Sequence, residues 1–189
     1  MSAGVDGHLT DADLAARFQR DPELFTAVYD RHYRDVYRYV AGRLDVHAGE
    51  DVAAETFLTA FAKRDRFDPG RGELRPWLFG IATNLVARHR RAEARHYRAL
   101  AAVPEPADAG HENHVVASVA AQRMRPELAA ALTGLSRGER DVVLLVALGQ
   151  LTHEEVAQAL GISYGTVGSR LNRARKKLNE AIDREAFHG

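Results

Sequence analysis

No stretch of this 189-residue chain sustains the apolar–polar alternation of a half-buried strand; where apolar side chains recur, they recur every three or four residues. That one period leaves an all-α fold, and start and stop signals divide it into helices. Thr10 with Asp13 opens a first short helix to about Arg20. Asp21-Pro22 pairs a capping residue with a proline at the first helical position. Beyond it Phe25, Val28, Tyr29, His32, Val36, Tyr37 and Val40 predict a second helix to about Leu44. A third is expected over 49–63, with Val52, Thr56, Phe57, Ala60 and Phe61 on its apolar face. The turn residues of Phe67 to Gly72 predict a loop. A fourth helix follows from about Glu73 to Arg98, holding Trp77, Leu78, Ile81 and Leu85.

The tract AAVPEPADAGHEN, 101–113, is rich in Pro, Ala and Gly and reads as a flexible linker. After it Pro126 starts a helix that stops near Gly134. Ser136 with Glu139 and Thr152 with Glu155 form capping boxes for two more, ended at Gly149 and Gly161. Ser163 caps a last helix to about Arg184. The expected architecture is therefore two small helical domains, residues 10–98 and 126–185, joined by a linker over 99–125. The last two helices meet across a short glycine-containing turn, the spacing of a helix-turn-helix.

Composition removes several function classes. With no cysteine there is no disulfide framework, thiolate metal site or cysteine nucleophile, which fits a reducing cytoplasm. The N-terminus MSAGVDGHLTDADL lacks a basic region followed by an apolar run, so no signal peptide is expected. The longest apolar run, Val142 to Leu148, is too short for a bilayer, and no membrane partner is expected. His111 and His114 have no further ligands nearby, and neither a metal nor another cofactor is predicted.

The net charge of zero conceals a gradient. Residues 1–60 carry 11 Asp and Glu against 6 Arg; residues 84–98 carry five Arg against Glu93; residues 163–178 carry Arg170, Arg173, Arg175, Lys176 and Lys177 with no acid. Two basic patches on a neutral chain suggest a polyanion held at two places, with acidic surface left for another partner.

The stretch Gly161-Ile162-Ser163-Tyr164-Gly165 matches G-x-S-x-G, the serine turn of many hydrolases. That turn needs a buried strand before the serine and an acid and a histidine after it. Here a capped helix precedes Ser163, and only Asp183 and His188 follow, so the match reads as accidental and no catalytic residue is predicted. His153-Glu154 fails as a zinc motif because position 157 is alanine. A DNA reading explains more residues. Val167, Leu171, Ala174 and Leu178 form one apolar stripe, leaving Tyr164, Gly165, Gly168, Ser169, Asn172, Arg173 and Lys176 on the other side. A small, polar, basic surface near a helix N-terminus suits the major groove, and Arg and Asn can each contact base edges with two hydrogen bonds. Arg170, Arg175 and Lys177 then suit phosphates.

A helix-turn-helix leaves the first hundred residues unexplained. The segments LFTAVYDRHYRDVYRYV, GEDVAAETFLTAF and RFDPGRGELRPWLFGIATNLVARHRR, followed by LSRGERDVVLLVALGQLTHEEVAQALGISYGTVGSRLNRARKKL, resemble the extracytoplasmic-function sigma factors in order and spacing. These are the small two-domain branch of the sigma-70 family of bacterial RNA polymerase initiation subunits. The resemblance implies core RNA polymerase and promoter DNA as partners. Glu50, Asp51, Glu55 and Phe57 would dock on the clamp helices of the largest subunit, and the polymerase flap region is the other implied contact. Phe67, Asp68 and Arg71 would hold a flipped base of the −10 element, with Asn84, Arg88 and Arg91 gripping the adjacent strand. Tyr164, Thr166, Ser169, Arg170, Asn172, Arg173 and Lys176 would meet the −35 element. An anti-sigma factor is common in the family, though no residue here marks one.

Gly49, Ala54 and Gly168 depart from the family's usual alanine, glutamine and basic residue. Plainer readings stand beside the assignments. Trp77 and Phe61 sit at core spacing, Phe67 could anchor a turn, and Glu50 and Asp51 suit a helix N-terminus on electrostatic grounds alone. A stand-alone helix-turn-helix regulator is the alternative function. The chain stops soon after its last helix, so no further C-terminal regulatory domain is expected.

Overall fold

The computed structural model describes residues 9–101 and 126–186; His111, His114, His188 and nearly all of the expected linker lie outside them. Helices α1 (Asp11–Phe18), α2 (Phe25–Ala41), α3 (Val46–Ala62) and α4 (Leu74–Ala101) form the first part. Helices α5 (Pro126–Thr133), α6 (Arg137–Ala147), α7 (His153–Leu160) and α8 (Tyr164–Ala186) form the second, and no strand occurs among the described residues.

Local chemistry accounts for the boundaries. Thr10, Ser136 and Thr152 each close a reciprocal capping box with the acid three residues on, which satisfies two otherwise orphaned N–H groups at each start. Pro22 opens a single 3-10 turn, Pro22–Leu24, before α2 begins. Helix α3 starts earlier than expected because the Asp45 carboxylate accepts the Ala48 N–H at 2.8 Å, a cap that places Gly49 inside the helix.

Helices α2, α3 and α4 bury Val28, Val36, Val40, Val52, Phe57, Leu78, Phe79 and Val86 against one another, with α1 adding Leu14 and Phe18. The second part closes around Leu135, Val142, Leu145, Val156, Val167 and Ala174. Both sets belong to one continuous core, because α4 packs against α7. The approach is close: a Cβ on Gly80 would lie 2.5 Å from the Ala159 carbonyl oxygen. Gln158 clips the start of α4, accepting from the Glu73 N–H at 3.1 Å and donating to its carbonyl at 2.8 Å. Arg75 bridges Glu155 and the Gly149 carbonyl at 2.8 and 2.7 Å. Deeper in, Arg43 pairs with Asp141 and donates to the Tyr39 hydroxyl, all three nearly sealed from water. Losing one member of such a buried pair costs about 3–5 kcal/mol, because the other charge stays behind unpaired.

Candidate nucleic-acid interface

Helix α7 ends at Gly161 in the left-handed conformation (φ 62°), which glycine adopts without strain, and the Ile162 N–H closes the turn on the Ala157 carbonyl at 3.0 Å. Ser163 then caps α8, its hydroxyl accepting the Thr166 N–H at 3.2 Å, so the serine of the hydrolase-like motif is occupied as a helix cap. Val167 and Ala174 are buried, with Leu171 and Leu178 half-buried beside them, which is the apolar stripe the spacing predicts. Opposite it Tyr164, Gly165, Ser169, Asn172, Arg173 and Lys176 are exposed, while Thr166 and Arg170 are half-buried. The Tyr164 ring leans on His153, 5.9 Å between centroids. The Ser169 hydroxyl donates to the Thr166 carbonyl at 3.0 Å and retains its acceptor capacity.

Beneath this surface lies a carboxylate that sequence reasoning treated only as a cap. Glu139 is 4% exposed, and its Oε2 accepts both the Ser136 N–H at 2.9 Å and the Lys177 ammonium at 2.7 Å. Its Oε1 faces the Arg173 Nε at 3.5 Å. Burial works to raise the Glu139 pKa; the Lys177 and Ser136 hydrogen bonds outweigh it and hold the carboxyl below its ordinary range. The Arg170 guanidinium lies over Gly138, one residue before it.

On α4, Asn84 and Arg88 are exposed and Arg91 is half-buried, one face of the basic helix. Arg88 is paired with Glu55 of α3 at 2.6 Å, joining a residue expected at DNA to one expected at polymerase. Arg90 turns inward and donates to the Arg43 carbonyl; burial, with Arg43 and Arg140 nearby, lowers its pKa to about 9. In the loop before α4, Asp68 and Arg71 are exposed, and the Asp68 carboxylate accepts the Gly70 N–H at 2.9 Å. Phe67 departs from its expected role as a base contact. Its ring is 3% exposed and packs on Trp77, 5.1 Å between centroids, while its carbonyl accepts a hydrogen bond from Gln19. It anchors the loop that presents Asp68 and Arg71.

On α3, Glu50 and Asp51 are exposed and Glu55 is half-buried. Phe57 corrects a second expectation. It is 1% exposed, enclosed by Phe25, Tyr29 and Tyr33 at 6.4, 5.0 and 5.9 Å, and so offers no surface to a partner. Its neighbour Leu58 is the apolar side chain that faces out, 67% exposed, one and two turns along from Ala54 and Asp51. Helical spacing from Asp51 and Ala54 was the signal that could have found it. Among the described residues no group of His, Asp or Glu is arranged to hold a metal, and no helix is long and apolar enough to cross a membrane.

Comparison with known proteins bears on both parts. The description Sigma-70 region 2 matches residues 28–96, and Sigma-70, region 4 matches residues 125–178. The chain is 33% identical over 169 residues to the ECF RNA polymerase sigma factor SigE of Mycolicibacterium smegmatis, covering 85% of this chain and 60% of that protein. It is 32% identical over 148 residues to SigC of Mycobacterium tuberculosis, covering 77% of this chain and 76% of that one. The solved structure of CnrH in complex with the cytosolic domain of CnrY superposes with a TM-score of 0.63 at 28% identity, over 92% of this chain and 97% of that one. With regions 2 and 4 in order and relatives alike over most of its length, the chain belongs to the ECF RNA polymerase sigma factors.

Proposed function

We propose that this sigma factor brings core RNA polymerase to promoters through three surfaces of its own. The exposed face of α8 reads the −35 element in the major groove, with Tyr164, Thr166, Ser169, Arg170, Asn172, Arg173 and Lys176 as its contacts. Asp68 and Arg71 of the loop, with Asn84, Arg88 and Arg91 of α4, take the −10 element. Glu50, Asp51 and Glu55, with Leu58 as their apolar centre, dock on the largest subunit's clamp helices, and the polymerase flap region is a further contact. The observation that carries the reading is the exposed polar and basic face of α8 above its buried Val167–Ala174 stripe.

The chain does no covalent chemistry, and the work is done by binding. Unstacking about ten base pairs at about 1.4 kcal/mol per step costs on the order of 14 kcal/mol. Capture of one or two bases returns a few kcal/mol, so polymerase supplies the rest and the free protein binds promoters poorly. The site of action is the cytoplasm, where polymerase and promoters are. The solved CnrH structure holds the cytosolic domain of CnrY, so a protein partner is expected for this chain too, and an anti-sigma factor is the kind the family resemblance implies.

Geometry adds a requirement. Elements some 25 base pairs apart lie about 85 Å apart at roughly 3.4 Å per pair, whereas a packed chain of this length spans roughly 40 Å. Engaging both elements therefore requires α4 and α7 to separate. The test is transcription in vitro with core polymerase and a promoter library randomised over both elements. Selective enrichment at both positions is expected. Uniform transcription of the library, or none above polymerase alone, would overturn the reading.

A further inference from the structure

The first turn of α6 serves as a shelf for the basic side of α8. Gly138 leaves room for Arg170: a Cβ there would meet the guanidinium carbon at 2.9 Å. Next to it the Glu139 carboxylate is fixed by the Ser136 N–H at 2.9 Å, a bond the backbone of α6 holds in place. With Oε2 taken by that N–H and by Lys177, Oε1 remains for Arg173, and it meets the Nε edge of the guanidinium at 3.5 Å. A guanidinium whose Nε edge faces an acid across 3.5 Å, an ion pair rather than a close hydrogen bond, still presents both terminal amino groups, the fork that matches two acceptors side by side. The Arg173 side chain is 62% exposed, on the side of α8 away from its buried Val167–Ala174 stripe.

We propose that Glu139 is a positioning residue for base readout: held by its cap, it aims the terminal amino groups of Arg173 at the O6 and N7 of a guanine in the major groove. This rests on the assignment of α8 to the −35 element. The chemistry selects guanine, the base whose major-groove edge offers two adjacent acceptors. Lys177, which meets the other oxygen of the same carboxylate, supplies affinity independent of sequence.

The experiment is the enrichment ratio at each −35 position, measured for holoenzymes assembled on core polymerase with a promoter library randomised there. Glu139→Gln keeps one capping acceptor, because glutamine serves a capping box as glutamate does, while it removes the charge and turns the other oxygen into an amino group that cannot accept from Arg173. It is expected to reduce the preference for guanine at one position by about tenfold, with yield from promoters lacking that guanine equal or higher. Arg173→Ala is expected to lose the same preference, and Glu139→Gln to add nothing in that background. Lys177→Gln is expected to lower yield across all sequences without changing the ratio. A Glu139→Gln holoenzyme that keeps its guanine preference while Arg173→Ala loses it overturns the positioning role and leaves the −35 reading standing. A uniform fall in yield with unchanged ratios makes Glu139 a structural cap and overturns the proposal too. Unchanged preference in Arg173→Ala removes Arg173 from base readout, and the proposal with it.

Discussion

Helices α4 and α8 each carry a run of basic side chains, yet the acceptors those chains meet are different. On α4, Arg88 pairs with Glu55, Arg90 donates inward to the Arg43 carbonyl, and Arg98 donates to the Ala94 carbonyl of its own helix. On α8 the carboxylate beneath the basic face is Glu139, buried and held by the cap of another helix; Arg173 above it is as open to solvent as Arg88, so the difference lies in the acceptor, only half-buried in Glu55 and buried in Glu139. A charge run thus says little about available charge. What decides it is whether an acceptor lies within the fold, and whether that acceptor neutralises the cation or only orients it.

The largest effect is expected where α4 meets α7, the helix before α8, since that contact ties the two basic helices into one body. Gly80→Leu places a side chain where even a Cβ would lie 2.5 Å from the Ala159 carbonyl. The free protein should then elute earlier in gel filtration with unchanged helicity. Unchanged elution would mean that the contact does not limit separation of the two parts.

Next in size is the contrast between Arg173→Ala and Arg88→Ala. The first should cost about tenfold or more in −35 discrimination. The second should lower promoter affinity by no more than about fivefold, the range of an exposed pair, because Glu55 already competes for Arg88. Equal losses would erase the distinction between the helices. Glu55→Gln sharpens the same point from the other side. Measured on holoenzyme assembled at saturating sigma factor, so that a lost clamp contact of Glu55 does not count, releasing Arg88 should raise promoter affinity by a few-fold at most and steepen its salt dependence by about one phosphate contact. No change in either would show that Arg88 does not reach DNA.

The smallest effect concerns stability in the first domain alone. His32 is 3% exposed, and burial, opposed by Asp11 across 3.6 Å, lowers its pKa from about 6.5. Arg31 and Arg75 lower it further, and Asp35 works weakly against them. Below about pH 6.5 the unfolded chain binds a proton that the folded chain refuses. Stability should therefore fall as pH drops through that value and level off below the folded pKa. Melting temperatures at pH 7.5 and 5.5 should differ less in His32→Leu than in the parent; an equal difference would place the titration elsewhere.

Much of the fold was legible because its signals are local. Thr10, Ser136 and Thr152 with their partner acids marked three helix starts, and the Val167–Leu178 stripe set which side of α8 faces inward. What escaped depends on contacts between residues far apart in the chain. Arg43 and Asp141 are 98 positions apart and neither is part of a motif. Phe57 and Leu58 are the exception: the apolar face through Val52, Phe57 and Phe61 already turned Phe57 inward, and the helical spacing from Asp51 and Ala54 pointed to Leu58. Phe67 opens a turn-rich loop whichever way its ring points, so anchor and base contact both stood open until Trp77 was placed beside it. Glu139 was visible as a cap; its proximity to Arg173 and Lys177 needed the packing of α6 on α8.

The central claim is that this chain works as an initiation subunit, and gel filtration with bacterial core RNA polymerase lacking any sigma factor tests it most directly. The protein should co-elute with core polymerase, and charge reversal at Glu50 and Asp51, both exposed on α3, should weaken that co-elution by tenfold or more, roughly the loss expected when a rim charge pair turns repulsive. Separate elution, together with tight salt-dependent binding of duplex DNA by the protein alone, would contradict the account and favour a stand-alone helix-turn-helix regulator.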